Sequence, residues 1–374
     1  MSSLVELPGY ASAFEAWLAT GPDAVAAAAE PTPSFETRVS LMSNLMATLF
    51  HEGWGRYGWP EAVGGLGGTI LHRAAMWEAL ARYGVPGMAL YEHLEVLAPT
   101  LVALGPPAFL AEAMPRYLAG KERWAQGFSE PGAGSDLASL RTRAVPVDGG
   151  YAISGRKIWT SWARYATWCL VLARTGTVES RHRGLTAFIV DLRSPGVEVH
   201  AITQANGTDE LAEVSFDEVH VPADRIVGEL DGGWAVGMHI LSHERGTFAW
   251  FHHLFLHQHL AGSLGVGDPA DDSRLGDAVL DLAATTATSY AALRAHESGR
   301  PLGPRAAFTK LLLCEAERST FDWILANDGD LALGLDDPEI AVQRQGYLFS
   351  RIVTVYGGSQ QMQLETIAKQ VVKL

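Results

Sequence analysis

Four short segments of this chain carry residue types that can do chemistry. The first is Gln126-Gly127-Phe128-Ser129-Glu130-Pro131-Gly132-Ala133-Gly134-Ser135-Asp136. Its glycines and alanine let a backbone approach a flat ligand closely. Ser129, Ser135 and exposed amides can donate hydrogen bonds to that ligand; a plain tight polar loop has the same composition. The second is Ile153-Ser154-Gly155-Arg156-Lys157-Ile158-Trp159-Thr160-Ser161, which reads as a strand, a Gly turn, an aromatic and a hydroxyl. Trp159 can stack on a planar ring while Ser161 bonds a heteroatom, or Trp159 is a buried barrel tryptophan. The third runs Phe216-Asp217-Glu218-Val219-His220-Val221-Pro222-Ala223, then Leu241-Ser242-His243-Glu244-Arg245-Gly246 inside an apolar-periodic helix. Adjacent helical residues occupy different faces, so Glu244 and Arg245 are not a self-paired couple. A carboxylate pushed toward the core has a raised pKa and can act as a base, the alternative being an ordinary solvated pair. The fourth is Val355-Tyr356-Gly357-Gly358-Ser359-Gln360-Gln361-Met362-Gln363. Two glycines with Ser359 and Gln361 at a helix start can hold an anionic or carbonyl group, or simply cap the helix.

The elements that must position these residues fall into three blocks. Residues 11 to 122 are mostly helical by apolar spacing, clearest in Phe35 to Phe50 and Ala74 to Tyr83, with a glycine-rich loop from Gly53 to Gly68 between them. From Trp124 to Val227 short β-type runs dominate: Tyr151 to Ile153, Thr167 to Ala173, Leu185 to Val190, Val197 to Val199 and Glu213 to Phe216. Helical periodicity returns from Gly232, with breaks at Gly262 to Asp272, Gly299 to Pro304 and Asp328 to Pro338. Helices, then strands, then helices predict an α+β fold: an N-terminal helical domain over 1–122, a middle antiparallel β barrel or sandwich over 123–228, and a C-terminal helical bundle over 229–374.

Composition excludes several classes. The chain has 374 residues, enough for two or three units with a sizeable core, and a net charge of -14, which disfavours nucleic acid. Two cysteines, Cys169 and Cys314, sit among apolar residues in no metal spacing, as expected of buried thiols in a reducing, cytoplasmic compartment. No basic and apolar leader opens the chain, so no signal peptide is expected, and no apolar stretch reaches membrane-spanning length. Gly64-Gly65-Leu66-Gly67-Gly68 follows no strand and is not a dinucleotide fingerprint. His252, His253, His257 and His259 include an i, i+4 pair, but lack an acidic or cysteine partner at metal spacing, so no metal is expected.

Taken in order, the four segments resemble the acyl-CoA dehydrogenase family, from the Gly-Trp…Pro-Glu…Gly-Gly-Leu-Gly stretch at Gly53-Trp54 to Ile367-Ala368. The most specific match is Ser-Glu-Pro-Gly-Ala-Gly-Ser-Asp at Ser129 to Asp136. The resemblance implies an N-terminal helical domain, a β domain and a C-terminal four-helix bundle, with FAD between the last two in a homo- or hetero-tetramer. It implies that Gln126, Phe128 and Ser129 line the flavin, that Trp159 and Ser161 approach its ring, and that Ser359 and Gln361 contact it from the closing helix. By the same resemblance Ser135 lies near the acyl-CoA thioester and Arg245 near the CoA part of the substrate.

Two departures refine this expectation. Many members carry their catalytic glutamate just after the tyrosine of the fourth segment, where this chain has Gly357; a second group places it before the arginine of the third, where this chain has Glu244. Glu244 is thus the expected base, with the Gly357 amide and a flavin hydroxyl polarising the thioester carbonyl. The implied reaction is α,β-dehydrogenation of an acyl-CoA, with reoxidation by an electron-transferring flavoprotein. The second departure concerns FAD. The Arg-x-x-Phe-Gly segment that clamps a neighbouring subunit's pyrophosphate is missing from His252 to Leu282, where Arg274 is the lone arginine. The Gln-x-x-Gly-Gly segment that helps hold adenine is not evident at Asp328 to Asp337. A partner subunit that completes the FAD site, a non-catalytic subunit, and a flavin-dependent oxygenase or oxidase on the same scaffold are the alternatives.

Overall fold

The structure, a computed structural model, describes residues 6–86, 89–264, 272–327 and 337–374. The chain divides into two compact units, one of Met1–Glu95 with Ser242–Leu374, the other of Val96–Leu241. The described α-helices are, in chain order, α1 (Leu7–Leu18), α2 (Asp23–Ala29), α3 (Phe35–His51), α4 (Ile70–Arg82), α5 (Ala89–Leu104), α6 (Pro107–Leu118), α7 (Gly233–Arg245), α8 (Phe248–Ser263), α9 (Asp272–Glu297), α10 (Ala306–Asn327), α11 (Pro338–Ser350) and α12 (Gln360–Thr366).

The second unit is built on an eight-stranded sheet. Its strands are β1 (Trp124–Gly127), β2 (Arg143–Val147), β3 (Gly150–Ser161), β4 (Trp168–Arg174), β5 (Leu185–Asp191), β6 (Val197–Ile202), β7 (Leu211–Pro222) and β8 (Ile226–Val227). They run in the order β6-β7-β3-β2-β4-β5-β8, with β1 beside β4. Most pairings are antiparallel; β1 and β2 each meet β4 in parallel. β5 is buried along nearly its whole length, which explains its unbroken apolar run, while β6 alternates and exposes one face. Ile153, Val171, Phe188, Val214 and Val219 meet in its core. Helix α6 packs its aromatics here, with Phe109 edge-on to Trp168 at 4.9 Å.

The turn expected at Gly155 is absent: β3 runs on through it, at φ 148°, where the pairing register with β7 shifts. A Cβ there would meet Thr142 Oγ1 at 2.5 Å, so glycine serves close strand packing rather than chain reversal. A second shift leaves Ile158 and Trp159 opposite Glu213 alone, a β-bulge.

The first unit is helical. Helix α3 starts at Ser34, whose side chain accepts from the Thr37 amide at 3.3 Å, and buries Val39, Met42, Leu45, Met46 and Leu49 at helical spacing. Helix α4 opens with a capping box between Thr69 and His72. Arg73 of α4 ties the glycine-rich loop to this scaffold. It pairs with buried Glu95 at 2.8 Å, donates to the Gly58 carbonyl and lies 3.9 Å over the Trp59 ring. After Ser242 come the last turn of α7 and then α8 to α12. α8, α9 and α10 pack on one another. Phe248, Trp250 and Phe251, beside the Glu-Arg pair, are buried.

Candidate functional site

The sequence-predicted residues fall into two groups, one in each unit. In the second unit, β1 carries Gln126 and leads into Phe128 and Ser129. Phe128 is buried, whereas Gln126 and Ser129 are half-buried. The Glu130–Ala133 turn is closed by reciprocal amide-to-carbonyl bonds of 2.9 and 3.0 Å, and the Ser129 carbonyl accepts from the Ile158 amide at 3.0 Å. This joins the first and second sequence segments.

What holds them together is a pair that the residue patterns did not single out. Lys157 is fully buried, and its Nζ donates to the Phe128 carbonyl at 3.1 Å and to Glu130 Oε1 at 2.8 Å. The Glu130 carboxylate also accepts from the amides of Arg141 and Thr142 at 2.7 and 2.8 Å. Burial lowers the Lys157 pKa to about 8 against the opposing pull of Glu130. Burial also works to raise Glu130, but the Lys157 charge and these hydrogen bonds win and hold it below the usual range. The available signal was parity: Lys157 shares a strand face with buried Ile153.

Trp159 settles between its two readings. It sits on the bulge at φ 59° with 57% of its surface exposed, so it is not a core tryptophan. A bulky residue in the left-handed region costs backbone strain, a common property of ligand-facing positions. Ser161, two residues on, is half-buried and pairs with Leu211. Ser135 is exposed.

In the first unit, Glu244 and Arg245 end α7 rather than lying within it. Although they are adjacent, both reach the same loop. Arg245 Nε donates to the Gly357 carbonyl at 3.0 Å. A Cβ built on Gly357 would lie 3.0 Å from Glu244 Oε1, so the carboxylate occupies the space a side chain at 357 would enter. Gly357 and Gly358 are left-handed at φ 66° and 91°. A Cβ on Gly358 would meet Gln363 Nε2 at 2.6 Å and Arg245 Nη2 at 2.7 Å. Gln363, buried and not anticipated, clamps the loop by donating to the Gly358 carbonyl at 2.9 Å.

Glu244 is half-buried, and its carboxylate accepts no hydrogen bond among the described residues. Burial raises its pKa, opposed by the charges of Lys310 and Arg245. The carbonyl-rich end of α7 disfavours the ionised form further. The amides of Gly357 and Gly358 have no acceptor among the described residues. A poised carboxylate beside free N–H donors can take a proton from a carbon acidified by an adjacent, hydrogen-bonded carbonyl. Ser359 caps α12 through the Met362 amide at 3.4 Å, and Gln361 is exposed.

The histidine cluster of α8 acquires an acidic partner that spacing did not reveal: His252 Nε2 lies 3.0 Å from Glu317 Oε2. Burial pushes His253 and His259 down to about 4. Among the described residues no three His, Cys, Asp or Glu side chains gather as a metal site. No helix there is long and apolar enough to cross a membrane. The adenine-segment expectation at Asp328 to Asp337 falls, apart from Asp337, outside the described residues.

Comparison with known proteins identifies the family. The chain matches the family models "Acyl-CoA dehydrogenase, N-terminal domain" over residues 23–121, "middle domain" over 125–219 and "C-terminal domain" over 231–372. It is 36% identical to acyl-CoA dehydrogenase IpdE1 of Mycobacterium tuberculosis over 324 residues, 85% of this chain and 84% of that protein. Among solved structures it is similar to the Tcur3481-Tcur3483 steroid ACAD, with a TM-score of 0.79, 24% identity and coverage of 98% and 97% of the two chains. It is also similar to a structure titled FAD complex of PigA, with a TM-score of 0.79, 21% identity and coverage of 97% and 98%. With three successive domains of one family matched in chain order and a relative aligned across most of both sequences, this chain belongs to the acyl-CoA dehydrogenases, FAD-dependent oxidoreductases acting on CH–CH groups.

Proposed function

We propose that this enzyme converts an acyl-CoA thioester to the trans-2-enoyl-CoA with Glu244 as the base, and passes the electrons to an electron-transferring flavoprotein. The observation that carries this reading is the Glu244 carboxylate, without a hydrogen-bond donor among the described residues, filling the space beside Gly357. Glu244 takes the α-proton. The free Gly357 amide donates to the thioester carbonyl and stabilises charge that develops there as the proton leaves. Arg245 and Gln363 hold that amide's loop by its carbonyls, so the donor is fixed before substrate arrives.

The second unit's residues fit a planar ring: an exposed indole on a bulge, with the Ser129 and Ser161 hydroxyls half-buried near the ends of β1 and β3. Trp159, Ser129, Ser161, Phe128 and Gln126 would hold the isoalloxazine, with Ser359 and Gln361 from the closing helix. FAD, when bound, supplies the two-electron acceptor for the β-hydrogen and its electron pair. Ser135 and Arg245 would serve the CoA ester.

A second reading concerns assembly. With no arginine between His252 and Ser273, a partner subunit would supply the cation for the FAD pyrophosphate, making the enzyme a hetero-oligomer. An anaerobic titration tests the chemistry. Bleaching of flavin absorbance by acyl-CoA alone supports dehydrogenation. Reaction only after prior reduction and oxygen would point to an oxygenase. Purified protein that carries no flavin, with or without a partner subunit, would point to a non-catalytic role.

A further inference from the structure

Lys310 is a charged group that the reading above leaves unused. It lies on α10 with 2% of its surface exposed, and its ammonium stands 3.8 Å over the Tyr356 ring. Lys310 Nζ makes no hydrogen bond or close ion pair among the described residues. A buried ammonium without a carboxylate contact is costly and is usually retained for a purpose. Its Cε lies 3.5 Å from the point where a Cβ on Gly357 would sit, and Glu244 Oε1 lies 3.0 Å from that same point. The carbon that bears the cation, the carboxylate and the free Gly357 amide therefore converge on one spot.

We propose that Lys310 is a positioning residue whose charge keeps Glu244 ionised and directed at the reacting carbon; this rests on Glu244 being the base. The other groups facing the ammonium are Arg245 from the end of α7, Cys314 and Glu317 on α10, and the Tyr356 ring; Glu317 is itself engaged by His252 of α8. Arg245 is committed to the Gly357 carbonyl, which leaves Lys310, among the described residues, as the cation free to respond to the state of the base. Burial lowers the Lys310 pKa while Cys314, Glu317 and Glu244 pull it up, and Lys310 is the first charge opposing the upward shift of Glu244. Placing the cation over Tyr356 rather than in contact with Glu244 biases protonation without capping the base by a hydrogen bond.

The test is an infrared difference titration of the FAD-loaded enzyme without substrate, each protein minus its Glu244→Gln counterpart, which reads protonation of the residue 244 carboxyl directly. Lys310→Met is expected to move that titration, and the acid limb of kcat/KM with a panel of acyl-CoA thioesters, upward by about one to two pH units. Turnover near neutrality would fall about 10- to 100-fold and recover at high pH, with KM little changed. Lys310→Arg should restore the wild-type limb. Should Lys310→Met fail to fold, Lys310→Gln gives the same reading. An unmoved carboxyl titration, or equal impairment of the Met and Arg variants, overturns the proposal. A Glu244→Gln enzyme that keeps full turnover would instead overturn the base assignment, whatever the titration shows.

Discussion

At the scale of single residues, the proposed function concentrates on Glu244 and the glycine it faces. Burial raises the Glu244 pKa, so the folded chain holds the proton more tightly than the unfolded one. Stability from this group is therefore full below its unfolded pKa and declines as pH rises through the raised folded value. Activity runs the other way, since a base must be ionised: kcat/KM should fall as pH drops through that raised value, above the ordinary carboxylate range. Glu244→Gln should lower turnover by about 10²–10⁴-fold. The same change should raise stability at neutral pH by about 0.5–2 kcal/mol, because it removes a carboxylate whose ionised form burial disfavours. Calorimetry and steady-state rates on one preparation check both; an unstable and fully active variant would contradict the assignment. Gly357→Ala makes a companion test. Its methyl would press on Glu244 Oε1 from 3.0 Å at a positive φ, and turnover should fall about 10- to 100-fold with FAD retained. Glu244 and Gly357 were candidates from the sequence because the Glu-Arg and Tyr-Gly-Gly patterns are short and ordered, and the fold brings the two segments together. Lys310 and Gln363 were not: each is an unremarkable polar residue on a helix until folding brings it against the Gly357–Gly358 loop.

At the scale of elements, β3 does the positioning. Its opening run, Tyr151 to Ile153, was legible and so was Glu213 to Phe216 of β7, but the two register shifts were not, because a bulge inserts a residue without changing composition. The bulge decides what Trp159 does, turning a residue of strand type out of the sheet. Trp159→Ala should weaken FAD binding about fivefold, the loss of an aromatic stacking contact worth about 1 kcal/mol. The melting temperature of the flavin-free protein should hardly move, since the indole is exposed. Isothermal titration with FAD and a melt of the apoprotein give the two numbers; equal loss in both would mean that Trp159 is structural. The clamp beneath it predicts the opposite pattern. Lys157→Met strands Glu130, whose carboxylate then keeps, among the described residues, only the Arg141 and Thr142 amides. Denaturant unfolding should show a loss of about 3–5 kcal/mol, as for other broken buried pairs.

At the scale of the whole molecule, the three-block texture of the sequence reports secondary structure well and compaction poorly. Chain-distant helices at the two ends belong to one compact unit, and the Arg73–Glu95 pair that fixes the Gly53–Gly68 loop joins residues whose spacing announces nothing. What the sequence does carry to this scale is a stretch, 252–273, without the arginine that the family resemblance implies. A charge-assisted contact to a phosphate is worth about 1.5–3 kcal/mol, so losing it weakens cofactor affinity by about 10- to 150-fold. Purified alone, the chain should hold FAD below stoichiometry and melt at a temperature that climbs steeply with added FAD, because stabilisation grows with the ratio of ligand to dissociation constant. Co-purified with a partner subunit that brings an arginine to the pyrophosphate, it should retain FAD through gel filtration, and its melt should become insensitive to added cofactor. Replacing that arginine in the partner should return the complex to the behaviour of the isolated chain. A homo-oligomer that keeps full FAD through the same column would show that this chain closes its own cofactor site by other contacts.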